Sequence, residues 1–114
     1  MEATPRELIL YETGNGNCPF VSWLDGLRDS RARARIKKRL DRVELGNLGD
    51  IKPVGDGVSE LKVDYGPGYR VYFAEVGGTI VLLLCGGDKS TQRQDILKAK
   101  QYWTDFQQRQ DASL

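Results

Sequence analysis

The sequence predicts an α+β fold, and two different spacings of apolar residues are the basis for this prediction. Apolar side chains recur at intervals of three and four in residues 20–43 and again in residues 96–106, which is typical of amphipathic helices. Between these segments, residues 60–74 alternate apolar and polar side chains with a period of two, as in strands with one buried face. The expected order is a strand, two helices, a β-meander and a last helix.

The N-terminal part of the chain is predicted to form a strand and a short helix. The segment ELILYE, residues 7–12, favours a strand, and TGNGNCP supplies the turn that follows it. Pro19 suits the first position of a helix, with Asn17 or Cys18 as the cap. The apolar stripe of this helix is expected at Phe20, Trp23, Leu24 and Leu27.

The second helix combines an apolar stripe with a stripe of positive charge. Asp29 or Ser30 can cap it, and it is expected to end near Gly46 and to form a hairpin with the first helix. From Arg28 to Arg42 eight basic residues stand against two acidic ones, although the whole chain carries a net charge of only +1. Such a stripe predicts either a contact with a phosphate backbone or acidic partner, or a solvated helix face. The apolar stripe is expected at Ala32, Ile36, Leu40 and Val43.

The first two strands of the meander follow GNLGDIKPVGDG, which is interpreted as a loop. Pairing Tyr65 with Tyr69 around the GPG turn places the apolar residues of both strands on one face. Charged and polar residues then occupy the other face. The pairs that this register predicts there are Asp64 with Arg70 and Lys62 with Tyr72.

The last strand and helix complete the predicted fold. TIVLLLC, residues 79–85, is apolar on both faces, which indicates a central strand covered on both sides. The GG pair before it predicts a two-residue hairpin that pairs Val76 with Thr79 and brings Arg70 opposite Cys85. The last helix is expected to have Ser90 or Thr91 as its cap and Ile96, Ala99, Trp103 and Phe106 as its stripe.

Composition limits the chemistry that the chain can perform. Its 114 residues are expected to form one domain, residues 1–114. No apolar run approaches the roughly 20 residues of a membrane span and no signal peptide is predicted, so we expect a soluble, cytoplasmic protein without membrane contact. The chain has no histidine, which excludes His-dependent triads and His-ligated metal centres. Cys18 and Cys85 form no CxxC motif and favour structural roles.

The segments SELKVDYGPGYRVYF and LLLCGGDKSTQRQDILKAKQYW resemble the HigB-like branch of the RelE/ParE superfamily, the toxins of type II toxin–antitoxin pairs. The likeness covers residues 7–106. It implies a RelE-like fold, in which an N-terminal strand and a basic helical hairpin pack on a small antiparallel sheet with a C-terminal helix. It also implies ribosome-dependent cleavage of mRNA and neutralisation by a HigA-like helix-turn-helix antitoxin, through which alone the toxin would meet operator DNA.

The resemblance implies site residues as well. Arg70, in the GYR motif, matches the arginine that contacts the scissile phosphate in RelE-type enzymes, and Lys62 matches a lysine on the neighbouring strand. Lys89 lies near the place where those enzymes have another basic residue. Glu60 stands where several relatives carry a second lysine, which leaves the identity of the general base open.

Residue chemistry is consistent with the same assignment. Cleavage of RNA through its own 2′-hydroxyl needs a base for that hydroxyl, an acid for the departing 5′-oxygen and cations for the phosphorane oxygens. Arg70 has the fork geometry for phosphate oxygens, and Lys89 can close on the same group. Lys62 or Glu60 can act as the base, and Tyr72 can stack on an RNA base or donate a proton. This chemistry requires no metal and no cofactor.

Three functions are compatible with these residues. The first is an endoribonuclease that holds mRNA on its sheet face and contacts ribosomal RNA through its basic helix. The second is a non-nucleolytic toxin of the ParE kind that inhibits DNA gyrase. The third is a module without catalysis whose basic helices bind an acidic antitoxin or nucleic acid. The alternative for the site itself is a cross-strand ion pair between Asp64 and Arg70, with Lys62 solvated. For the first function, RNA contacts are expected at Arg31, Arg35, Lys38, Arg39 and Arg42.

Overall fold

The computed structural model describes residues 4–112, which form five strands, three α-helices and one short 3-10 turn. The predicted α+β class and the predicted element order are confirmed, with one strand added. Among residues 4–112, none of the helices has the length and hydropathy of a transmembrane segment. The elements are β1 (Glu7–Leu10), α1 (Pro19–Gly26), α2 (Ser30–Glu44), β2 (Ile51–Gly55), β3 (Val58–Val63), β4 (Tyr69–Val76), β5 (Ile80–Gly87), the 3-10 turn (Lys89–Thr91) and α3 (Gln92–Ala112).

The five strands form one sheet in the order β1-β5-β4-β3-β2. β1 runs parallel to β5, and all other neighbours are antiparallel. β5 is therefore an interior strand, which explains why its apolar run is buried on both faces, as predicted. β1 ends at Leu10, two residues before the end of the predicted strand.

Two apolar clusters cover the two faces of the sheet. Helices α1 and α2 pack on one face, and α3 packs on the other. All four predicted stripe residues of α2 are buried, and the four of α3 belong to the second cluster. The face shared by the apolar residues of β3 and β4 is the one that meets α1 and α2. The residues of these two strands in the first cluster are Leu61, Val63, Tyr69, Val71 and Phe73.

The first two helices begin where the local chemistry predicts. α1 starts at Pro19, and Cys18 occupies the capping position without a side-chain hydrogen bond. α2 is capped by Asp29, whose carboxylate accepts hydrogen bonds from the backbone N–H groups of Arg31 and Ala32 at 2.9 and 3.3 Å.

The start of the last helical segment differs from the prediction. A 3-10 turn precedes α3, and its cap is Asp88, whose carboxylate accepts a hydrogen bond from the backbone N–H of Ser90 at 2.8 Å. Ser90 and Thr91, the predicted caps of the last helix, lie in this 3-10 turn, and Thr91 directly precedes Gln92, the first residue of α3. The aspartate lies two residues before the serine, which is the spacing that lets a side-chain oxygen reach a free N–H of the first turn.

β2 lies in the segment GNLGDIKPVGDG, which the sequence alone indicates is a loop. It pairs with β3 at the edge of the sheet. Pro53 has no N–H to donate, but an edge strand tolerates proline because one of its sides needs no partner. A register shift between Pro53 and Gly55 interrupts the ladder there.

The register between β3 and β4 differs from the predicted one by two residues. Val63, rather than Tyr65, lies opposite Tyr69, so the connection between the strands spans residues 64–68. A shift of two keeps every side chain on its predicted face but changes its neighbours. The pairs relevant to the site are Lys62 with Arg70 and Glu60 with Tyr72.

The register between β4 and β5 also differs from the prediction. Val76 lies opposite Ile80, one residue further along than expected, and a bulge at Leu84 of β5 adds a second shift. Arg70 therefore lies opposite Gly87 rather than Cys85. This shift moves Arg70 next to the segment that leads into α3.

Candidate functional site

Glu60 is the centre of a buried hydrogen-bond network between the sheet and α3. Only 6% of its surface is exposed. Arg70 Nε lies 3.4 Å from carboxylate oxygen Oε1, and Oε2 accepts hydrogen bonds from the Tyr72 hydroxyl at 3.1 Å and the Gln92 amide at 2.9 Å. Both oxygens of this buried carboxylate therefore have partners, which offsets part of the cost of burying its charge.

Arg70 is held from two sides. Its Nη1 donates to the backbone carbonyl of Gly68 at 2.7 Å, and its Nε faces Glu60. Only 9% of the side chain is exposed. On the sheet, Arg70 lies between Lys62 of β3 and Gly87 of β5. The guanidinium is thus fixed in orientation, and only a small part of it can be reached from solvent.

The predicted ion pair between Asp64 and Arg70 does not form. Arg70 pairs with Glu60, and Asp64 lies exposed beyond the end of β3. The physical reason is the two-residue difference in register. The prediction of an exposed pair on an open face is therefore wrong, and Arg70 takes part in a buried pair whose disruption leaves an uncompensated charge.

Tyr72 is fully buried, with 0% of its surface exposed. Burial, and next the Glu60 carboxylate that its hydroxyl contacts, raise the pKa of Tyr72. A ring without exposed surface cannot stack on an RNA base, and a phenol whose neutral form is favoured is a poor proton donor. The expected contact of Tyr72 with RNA is therefore corrected: in this structure Tyr72 positions Glu60 and, through it, Arg70.

Lys62 and Lys89 are exposed on either side of Arg70. Lys62 lies on the part of β3 that β2 leaves uncovered, because β2 pairs with β3 only as far as Leu61. Lys89 begins the 3-10 turn two residues after Gly87. We call the set Lys62, Arg70 and Lys89 the cationic row.

The turn that carries Lys89 lies within electrostatic reach of Arg70. Hydrogen bonding from Ser90 is the main cause that lowers the pKa of Asp88, and the charge of Arg70 adds to this lowering. The fold thus brings the backbone positions of the cationic row to one end of the sheet. Of the other predicted catalytic residues, Glu60 lies behind this row as a buried partner of Arg70 rather than as a solvent-facing group.

A basic groove lies between α2 and the open edge of β3, and we call it the α2 groove. Its volume is about 540 Å³. Four of the five residues predicted to bind RNA line it, and the fifth, Arg31, lines an adjoining groove. Lys62 therefore belongs both to the cationic row and to the α2 groove. The lining residues are Arg35, Lys38, Arg39, Arg42, Lys62, Val63, Asp64 and Tyr65.

Arg39 differs from the other cations of the α2 groove because it is half-buried. Its Nη2 donates to the backbone carbonyl of Leu48, so it anchors the loop after α2. Burial, and next the charge of Arg42, lower the pKa of Arg39. Its Nη1 is buried and has no hydrogen-bond partner within residues 4–112. A change at Arg39 would therefore alter loop packing as well as any binding.

Two contributing residues were not predicted. Gln92 hydrogen-bonds Glu60 across 32 positions of sequence, and no sequence signal marks a glutamine at the start of a helix for this role. Tyr65 packs against the first cluster, as its predicted face requires, but it also meets α2. Its ring centroid is 5.1 Å from Arg35 Cζ, and its hydroxyl is 3.3 Å from Asp29 Oδ2.

The remaining candidates for chemistry are the two cysteines and the acidic residues. Cys18 is half-buried and Cys85 is buried, and neither is in a disulfide. Burial is the main cause that raises the pKa of Cys85 to about 12, so its thiol stays protonated at neutral pH. Within residues 4–112, no group of three or more His, Cys, Asp or Glu side chains is placed to hold a metal ion.

Comparison with known proteins places the chain in a family. Residues 22–104 match the model of the phage-derived protein family Gp49-like (DUF891). An uncharacterized protein of Haemophilus influenzae (strain Rd) is 56% identical over 81 residues, which are 71% of this chain and 82% of that protein. The region matched by the family model contains both the cationic row and the α2 groove. The chain therefore belongs to the Gp49-like family of phage-derived proteins, which is a RelE/toxin-like family.

Proposed function

We propose that this protein is the HigB-like toxin of a type II toxin–antitoxin pair and that it cleaves mRNA on ribosomes in the cytoplasm. Membership of a RelE-like toxin family supports the toxin assignment and implies an antitoxin partner. The proposed antitoxin is a HigA-like helix-turn-helix protein, which also carries the complex to operator DNA. The proposed targets are mRNA and, through α2, ribosomal RNA.

The observation that carries the nuclease assignment is the alignment of the cationic row. Lys62 lies directly opposite Arg70 on the neighbouring strand, and Arg70 lies opposite Gly87, two residues before Lys89. Neighbouring strands are about 4.8 Å apart, so these three strand positions span roughly 10 Å. Two exposed lysines therefore flank one fixed guanidinium, an arrangement that suits a single phosphodiester.

In the proposed reaction, the 2′-hydroxyl oxygen bonds to the adjacent phosphorus while the bond from phosphorus to the 5′-oxygen breaks. A base takes the proton of the 2′-hydroxyl, and an acid gives a proton to the departing 5′-oxygen. Lys62 is assigned as the base, because both oxygens of Glu60 are occupied. Arg70 stabilises the charge on the phosphate oxygens, and Lys89, as an ammonium group, supplies the proton.

The test replaces Lys62 and Lys89 by alanine, one at a time. Both side chains are exposed, so unfolding free energies should change by less than about 0.5 kcal/mol. Cleavage should slow about 100-fold or more, the scale of a lost transition-state contact. Primer extension on translating ribosomes measures the cleavage, and sedimentation measures ribosome binding.

Lys37→Ala is the matched control, because Lys37 is an exposed lysine of α2 outside both the cationic row and the α2 groove. It should cleave at the wild-type rate. Wild-type cleavage by both Lys62→Ala and Lys89→Ala would refute the assignment of the site. If induction of the wild-type protein lowers DNA synthesis before protein synthesis, inhibition of gyrase replaces mRNA cleavage as the better explanation.

A further inference from the structure

A second compartment adjoins the α2 groove, and Tyr65 lines both. The first compartment, of about 540 Å³, contains the cations Arg39, Arg42 and Lys62. The second, of about 440 Å³, includes Ala34 in its wall. The residues that line both compartments are Arg35, Lys38 and Tyr65. Arg31 also lines the second compartment, so Tyr65 borders two neighbouring spaces that are both lined by cations.

Tyr65 is fixed in this position by three contacts. Its hydroxyl lies 3.3 Å from Asp29 Oδ2, and the guanidinium of Arg35 lies 5.1 Å from its ring centroid. Its inner side packs against the cluster beneath α1 and α2, and the residue is only half-buried. A ring that is already immobilised loses little conformational entropy when a ligand stacks on it.

The charge of the α2 groove is not balanced by its own residues. Five cationic side chains line it, against the single carboxylate of Asp64. Within the described residues 4–112, none of these five cations takes part in an ion pair. A polyanion that enters the groove would relieve the repulsion among them.

We infer that the α2 groove binds single-stranded RNA, with one base stacked on Tyr65 and the neighbouring phosphates held by Lys38 and Arg42. The inference rests on the proposed function, because it takes RNA as the ligand, and it deepens that function by naming the residue that contacts a base. Sites for single strands combine a cationic track with aromatic side chains that stack on bases. Paired bases in a duplex are not free to stack in this way. A duplex or an acidic peptide would use the same cations without Tyr65.

The test measures binding of a fluorescent, single-stranded pentanucleotide of 2′-O-methyl RNA by anisotropy. This probe has no free 2′-hydroxyl and cannot be cut by the proposed reaction, so its binding is independent of catalysis. Tyr65→Leu should weaken binding about tenfold, because stacking on an aromatic contributes roughly 1–3 kcal/mol per base. Tyr65→Phe retains the ring and should bind within about threefold of wild type. Neither change should alter the dependence of affinity on salt.

Changes to the cations, unlike the changes to Tyr65, should alter the dependence of affinity on salt. Lys38→Ala and Arg42→Ala should each reduce the slope of log affinity against log salt by about 0.7, the value for one phosphate contact on a single strand. Lys37→Ala is the control, because Lys37 neighbours Lys38 on α2 but does not line the groove. It should leave the slope unchanged.

A probe of the same length with abasic positions decides the role of the base. The wild-type protein should bind it about as weakly as Tyr65→Leu binds the normal probe. Equal binding of the normal and abasic probes by the wild-type protein, or tighter binding of a duplex with the same number of phosphates, would overturn the inference. This comparison needs no variant, so it holds even if Tyr65→Leu does not fold. Cleavage on ribosomes tests the proposed function separately.

Discussion

Replacing Arg70 by methionine tests the buried pair directly. The change removes the charge, keeps much of the side-chain volume and leaves the Glu60 carboxylate, 6% exposed, with only Tyr72 and Gln92 as partners. Removing one member of a buried pair costs about 3–5 kcal/mol. The 3.4 Å separation of Nε and Oε1 is long for a charge-assisted hydrogen bond, so we expect a loss near the lower limit, about 3 kcal/mol. For a chain of 114 residues this lowers Tm by roughly 10–15 °C.

A double-mutant cycle in urea measures this pair. Glu60→Gln removes the buried charge while keeping an oxygen that can accept the hydrogen bond from Tyr72. The variant with both changes should therefore be about 1–2 kcal/mol more stable than Arg70→Met alone. A coupling free energy below about 0.5 kcal/mol would refute the buried pair. Arg70→Lys is then the better probe of phosphate contact, because it keeps a positive charge beside Glu60 but loses the fork geometry of the guanidinium.

The remaining predictions concern the end of β5. A Cβ atom on Gly87 would overlap the Asp95 carboxylate, so Gly87→Ala should lower the free energy of unfolding by about 1–3 kcal/mol. Gly14→Ala is the control, because its Cβ would meet nothing within 4 Å, and it should leave the urea midpoint unchanged. Equal midpoints for the two variants would contradict this packing. Burial raises the pKa of Cys85 from 9.0 to about 12, so the folded protein holds this proton more tightly than the unfolded chain. The resulting stability is present below about pH 9 and is lost as the pH rises towards 12. The urea midpoint of the wild-type protein should therefore fall between about pH 9 and pH 12, and the midpoint of Cys85→Ala should fall less. Parallel plots of midpoint against pH for the two proteins would contradict the raised pKa of Cys85.

The faces of the helices and strands were predictable because they depend on local spacing. Ala32 and Ile36 lie one turn apart on α2, and Val71 and Phe73 lie two apart on β4, so burial of one member implies burial of the other. The strand register was not predictable in the same way. Alternation repeats every two residues, so a shift of two satisfies the apolar pattern equally well. The connection of residues 64–68, rather than the GPG triplet alone, sets the actual register.

β2 could not be predicted because its own residues are poor strand formers. Lys52, Pro53 and Gly55 are depleted in strands, and the strand exists because β3 offers it a partner at the sheet edge. Without β2, the sequence prediction could not show which residues of β3 are open to solvent. The limit of β2 opposite Leu61 determines which part of β3 stays open.

The candidate site was predictable in residue type but not in environment. Arginine and lysine at positions 62, 70 and 89 are the side chains that a phosphate requires, and a sequence shows this directly. Whether those side chains are open to solvent depends on α3, which packs over the same face of the sheet. This packing buries Glu60 and Tyr72, and it converts two predicted catalytic residues into supports for Arg70.

Lys62 belongs to both the cationic row and the α2 groove, because β2 covers only part of β3. β2 stops pairing opposite Leu61, so the edge of β3 at the next residue faces the α2 groove. In the binding mode that we infer for the α2 groove, single-stranded RNA passes this open edge before it reaches Arg70 on the adjacent strand. Loss of cleavage in Lys62→Ala therefore combines weaker RNA binding with slower chemistry. Lys89 does not line the groove, so Lys89→Ala reports on the chemistry alone and is the stronger test of the cationic row.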